Sequence, residues 1–198
     1  MKIILIILGI VLLGFFAFQL YLTIEQKDIE TYPYKVEKRY QDFEVRNYEA
    51  SLFTSIQLPE NTYENASRQG FSILARYIFG GNEKNEKIAM TSPVAMSLED
   101  SITMMFMVPK KLKKERLPQP NQPQIEFREE PAKKLATITF GGWANDKKIE
   151  KYKRKLISAL ESQEIAHTNQ FYFFGYNPPF EIFNRKNEVA VELETGGS

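Results

Sequence analysis

The sequence predicts an α+β domain in which a ββαββ unit occurs twice, paired into one largely antiparallel sheet or distorted antiparallel β-barrel with two helices packed outside, and preceded by one transmembrane helix. Three observations predict this. Residues 3–24 form an apolar run; two stretches, 62–79 and 145–163, carry apolar residues at helical spacing; and each of these is flanked by short strand-like segments in the same order.

Within the apolar run the only hydrogen-bonding side chains are Gln19, Tyr21 and Thr23. At the helical rise the run reaches roughly 33 Å against a hydrocarbon core of about 30 Å, so it can cross with every backbone group satisfied internally. A signal peptide carries a shorter apolar region followed by small residues, whereas Phe15, Phe16, Phe18, Leu20, Tyr21 and Leu22 prolong this one. The chain has no cysteine, which excludes a lipoprotein anchor, disulfides and thiolate metal sites. Lys2 stands on one side of the run and Glu25, Lys27, Asp28 and Glu30 on the other. That asymmetry predicts a cytoplasmic N-terminus and a soluble domain that is extracytoplasmic. The expected divisions are an anchor at 1–24, a linker at 25–33, one domain at 34–194 with a sizeable core, and a flexible tail at 195–198.

The net charge of +1 gives no electrostatic case for nucleic acid, which needs a concentrated basic surface. The one basic cluster, Lys110, Lys111, Lys113, Lys114 and Arg116, precedes a proline-rich stretch and suits a solvated linker, with anionic lipid headgroups as the alternative contact.

In the soluble part, residues 34–58 are rich in β-favouring side chains and predict two strands meeting at Gln41-Asp42. Pro59 introduces a helix over 62–79, and Gly80-Gly81 stops it. Strands are expected at 87–98, where Ile88, Met90, Val94, Met96 and Leu98 share a face, and at 102–108. The second half repeats the pattern with strands at 124–128 and 135–140, then a helix N-capped by Asn145 with Ile149, Tyr152, Leu156 and Ala159 as its buried stripe. The last strands are 171–175 and 188–193, the latter turning Val189, Val191 and Leu193 inward and Glu188, Ala190 and Glu192 outward.

On the first soluble helix, Tyr63, Ala66, Gly70, Ile73, Leu74 and Tyr77 fall on one core-facing stripe. Phe71, Ala75 and Phe79 lie on an adjoining flank with Arg68, a combination suited to a flat apolar molecule bearing carboxylates. The loop Gly175-Tyr176-Asn177-Pro178-Pro179-Phe180 is braced by its prolines and can present aromatic rings at little entropic cost. No catalytic residues are assigned. Catalysis of the common types needs a nucleophile with a base, or paired acids; Ser92 lacks a glycine-flanked elbow, and His167 is the sole histidine.

Four ordered pieces resemble the SOUL haem-binding family. They are Arg76-Tyr77-Ile78-Phe79-Gly80-Gly81-Asn82 through Lys87-Ile88-Ala89-Met90-Thr91-Ser92-Pro93-Val94; Phe140-Gly141-Gly142-Trp143; Gly175-Tyr176-Asn177-Pro178-Pro179; and Arg185-Lys186-Asn187-Glu188-Val189. The resemblance spans residues 32–194. It implies the duplicated barrel and non-covalent binding of haem or another tetrapyrrole in a shallow apolar groove. Carried over by position, the groove residues are Arg68, Phe71, Ala75 and Arg76 on the helix and Tyr176, Pro178, Pro179 and Phe180 on the loop. His167 and the strand methionines are not expected to ligate iron. The implied role is a membrane-anchored carrier or buffer. The alternative is a non-haem small-molecule sensing or partner-binding module on the same barrel.

Overall fold

A computed structural model describes residues 2–25, 29–59, 62–99, 101–178 and 181–194, without the side chains of residues 5, 16, 17 and 20–25. Helix α1 (Lys2–Glu25) comes first. Strands β1 (Tyr34–Arg39), β2 (Glu44–Tyr48) and β3 (Ser51–Gln57) follow, then α2 (Tyr63–Ile78), β4 (Val94–Leu98), β5 (Ile102–Met107), β6 (Glu126–Glu130), β7 (Lys133–Gly141), α3 (Asp146–Glu161), β8 (His167–Gly175) and β9 (Lys186–Leu193). The expected tail at 195–198 lies outside the described residues. Among the described residues no helix is long and apolar enough to cross a membrane; the described side chains of α1 are those of residues 2–4, 6–15 and 18–19.

Among the described residues nine strands join one antiparallel sheet in the order β1-β2-β7-β9-β8-β4-β5-β3-β6. Setting β1 aside, the order is a palindrome of two repeats, β2-β3-α2-β4-β5 and β6-β7-α3-β8-β9, in which each repeat's first strand pairs with the other repeat's second. This exchange corrects the expected strand count. The stretch 34–58 holds three strands, because the chain breaks after Tyr48 and resumes as β3 near the opposite end of the sheet order. Tyr48 and Ser51 can stand at most about 10 Å apart, so the sheet must curl until those ends nearly meet. The link from β6 to β7 imposes the same closeness on the other side. The sheet edges themselves do not pair, which makes it a curled half-barrel and not a closed one.

Strand β4 is shorter than the expected 87–98. Pro93 has no N–H for the ladder, so pairing begins at Val94, while Ile88 still reaches the core through an irregular lead-in whose N–H donates to Ile78. Helices α2 and α3 pack on one face of the sheet, α2 against β3 and β5, α3 against β7 and β9. Asn145 accepts from Lys148 N–H at 2.9 Å, the cap its position predicted. At the end of α2, Gly81 N–H donates to Arg76 C=O and Gly80 N–H to Tyr77 C=O, with Gly80 at φ 108°. This is a Schellman closure. A Cβ on Gly81 would stand 2.6 Å from the Arg76 carbonyl oxygen, backbone that cannot swing aside. Gly81→Ala is therefore expected to cost about 1–3 kcal/mol, readable as a thermal midpoint lowered by several degrees.

The sheet is covered on both faces. The helix side carries the larger core, including Leu74, Met96, Met104, Leu156, Phe173 and Val191. The concave side carries a second cluster of Tyr32, Tyr48, Phe53, Met105, Tyr172 and Phe174. Curling therefore buries Glu188 and Ala190 completely, against the expectation that they face outward.

Candidate functional site

The Glu188 carboxylate accepts both Arg46 Nη groups at 2.9 and 3.1 Å, the Tyr176 hydroxyl at 2.6 Å and the Thr139 hydroxyl at 3.1 Å. Burial alone would raise its pKa, but the Arg46 hydrogen bonds and charge, with Lys186 and Tyr176, hold it below the ordinary carboxylate range. Burial beside Glu188 pushes the Tyr176 hydroxyl far up, so Tyr176 stays a protonated donor. The network fixes the start of the loop between β8 and β9.

That loop forms one lip of an open cleft of about 550 Å³ on the helix side of the sheet. The cleft floor is apolar: Met96, Met104 and Phe173 come from β4, β5 and β8. Tyr63 from α2 meets Phe173 edge-on at 4.8 Å, and Phe71 packs on Phe106 at 5.5 Å. Burial raises the Tyr63 hydroxyl above its usual pKa, so it remains neutral at physiological pH. The start of α2 is held by Asp146, whose carboxylate accepts from Tyr63 N–H at 2.6 Å and Glu64 N–H at 3.3 Å. Thr62, at the N-cap position, makes no side-chain cap hydrogen bond, so a residue opening α3 caps α2 instead.

The rim is cationic. Arg68 stands exposed on α2, and Arg185 lies with its guanidinium 4.0 Å over the Trp143 ring. Arg185 donates to the carbonyls of Pro178 at 2.9 Å and Glu181 at 2.6 Å. Its Nε is buried with no acceptor among the described residues. Asn177 and Asn187 complete the lip, the first accepting from Lys186 N–H at 2.6 Å and the second donating to Gly142 C=O at 2.8 Å.

Of the residues expected at the groove, the structure brings Arg68 and Phe71 to the cleft. Ala75, one turn on, is turned into the core at 8% exposure, because the curled sheet wraps beneath more of α2 than one stripe. Arg76 is exposed beyond the cleft's lining residues. Tyr176 points to the opposite face of the sheet, and Pro178 contributes a carbonyl to Arg185. Pro179 and Phe180 lie outside the described residues. The sequence reading placed no site role on Tyr63, Trp143 or Arg185. Trp143 was signalled by Gly142, whose φ of 74° turns the chain so that the one tryptophan meets the lip.

His167 opens β8, its Nδ1 2.6 Å from the Thr168 carbonyl oxygen. Six residues of strand, about 20 Å, separate it from Phe173 on the floor. It cannot reach a ligand in the cleft. Among the described residues no group of three or more His, Cys, Asp or Glu is placed to hold a metal. The basic cluster after β5 meets acids, Lys110 with Glu49 at 3.5 Å and Lys114 with Glu129 at 3.3 Å.

A family model described as SOUL heme-binding protein matches residues 29–192. Heme-binding protein 1 of Xenopus laevis is 30% identical over 156 residues, covering 74% of this chain and 81% of that protein. Heme-binding protein 2 of Homo sapiens is 28% identical over 156 residues, covering 74% and 76%. Among solved structures, the EcmrR C-terminal domain aligns with a TM-score of 0.60 at 11% identity, covering 81% of this chain and 98% of that one. A hydrolase from Listeria innocua aligns at 0.54 with 8% identity, covering 80% and 94%. Likeness at such identities concerns the fold alone.

Proposed function

The chain belongs to the SOUL haem-binding family, and from that premise we propose that it is a membrane-anchored carrier or buffer that holds haem or a related tetrapyrrole in the cleft between α2 and the β8–β9 loop. The observation that carries this reading is the cleft itself. It joins an apolar floor to a rim with two arginines, and its volume falls within the range of small-molecule sites. Haem supplies a flat apolar macrocycle and two propionate carboxylates. The residues present fit both: Phe71 and Phe173 would offer surface to the ring, and Arg68 and Arg185 would pair with the carboxylates. Arg185 Nε, buried with no acceptor among the described residues, is a donor that a propionate oxygen would satisfy.

Binding by stacking and charge pairing needs no iron ligand from the protein. The role is that of a binder and not a catalyst. Titrating haemin into the detergent-solubilised full chain should shift and sharpen the Soret band at one equivalent. His167→Ala should leave that titration unchanged. If no band shift appears while a non-haem ligand raises the thermal midpoint, the non-haem sensing or partner-binding role replaces this one.

The anchor is α1. Its described apolar side chains, including Ile3, Ile4, Ile10 and Leu13, stand open to the surroundings, and the apolar run of the sequence continues to residue 24. The charge asymmetry around it supports an extracytoplasmic domain. Protease added to intact cells should remove the domain; protection from protease together with resistance to alkaline extraction would reverse the orientation while keeping the anchor.

A further inference from the structure

Trp143, which lines the cleft, is 54% exposed, and the β8–β9 loop that forms one lip carries two further large exposed apolar side chains, Ile182 at 48% and Phe183 at 47%. Such a cluster beside a ligand cleft is costly in water. Its place relative to α1 is what gives it meaning. Ile182 N–H donates to the Gln19 side-chain oxygen at 3.5 Å, so the lip meets the apolar helix at a residue that is itself buried. Along the helix axis Gln19 stands about 24 Å from Ile3, close to the far boundary of a hydrocarbon core of about 30 Å.

We propose that the lip formed by Trp143, Ile182 and Phe183 docks onto the bilayer interface, so that the cleft opens toward the lipid and takes its apolar macrocycle from the membrane. This rests on the reading of α1 as an anchor. Aromatic side chains favour the headgroup boundary, where an apolar body and a polar edge are both accommodated. Cationic groups border the same lip. Lys147 and Lys148 open α3 a few residues after Trp143, and Arg185 stacks on its ring. They complement anionic headgroups. The occupant is thus a lipid surface, continuous with the bilayer around α1.

Trp143 is the one tryptophan of the chain, so its emission reports the lip alone. The full chain is reconstituted into vesicles of phosphatidylcholine with phosphatidylglycerol, and flotation first establishes that it inserts. Lipids brominated just below the headgroup should then quench most of the Trp143 emission, and lipids brominated near the bilayer centre much less. Ile182→Asp with Phe183→Asp should still float but lose that quenching, and should take up haemin several-fold more slowly from vesicle lipid, while haemin supplied in detergent loads both proteins alike. Flotation with no bromine quenching, or equal uptake from lipid by both proteins, would overturn the docking and leave the anchor standing. Failure to float would overturn the anchor and the docking with it, whereas haemin titration in detergent tests the cleft independently.

Discussion

Arg46→Leu is expected to lower stability by about 3 kcal/mol, which for a chain of this size lowers the thermal midpoint by roughly 10 °C. The change removes both guanidinium bonds from a carboxylate with no solvent exposure, leaving it to Tyr176, Thr139 and the half-exposed Lys186. The remaining charge is then buried with too little compensation. The dependence on pH gives the sharper test. In the native protein the folded pKa of Glu188 is depressed, so its contribution is present above the unfolded value of about 4.3 and is lost as pH falls through the folded pKa. Without Arg46, burial, already the largest single influence on this carboxyl, is no longer outweighed and raises the folded pKa. The variant should then gain stability as pH is lowered from neutrality toward the unfolded value, a window in which Glu188 gives the parent no slope because its contribution there is constant. Thermal melts in detergent across that window decide it. Parallel slopes would show that Arg46 does not govern Glu188.

Phe71→Asp combined with Arg68→Glu should weaken haemin binding by about 100-fold. Removing an aromatic wall forfeits roughly 1.5–3 kcal/mol of apolar burial, and reversing a rim charge adds repulsion toward a propionate. Arg68 is exposed and among the described residues makes no salt bridge or side-chain hydrogen bond whose loss would unfold the domain, so Arg68→Glu alone separates binding from folding. It should keep the parent's thermal midpoint and weaken haemin by several-fold, with the loss shrinking as salt rises. Unchanged affinity in both proteins would remove α2 from the site.

Much of the fold was legible where the signal is local. Gly80-Gly81 and Asn145 end and begin helices through bonds to residues within a few positions, and those contacts follow from backbone geometry. The repeated ββαββ pattern was legible for the same reason, because side-chain periodicity reports which face an element buries. The site was legible only in part. Arg68 and Phe71 line the cleft, yet Ala75 lies in the core and Tyr176 on the opposite face. Helical spacing gives the angle between two side chains and does not say how wide an arc the sheet covers.

The sequence by itself determined the element types, the duplication, the helix ends and the family. Only the tertiary structure decided that the first strands of the two repeats are exchanged, that the half-barrel buries both faces of β9, and that Asp146 caps a helix to which it does not belong. Each of these joins residues far apart along the chain, and Arg46 and Glu188 meet across 142 positions. Local propensity carries no record of such partners. They are chosen when the sheet curls and a buried charge must find its opposite.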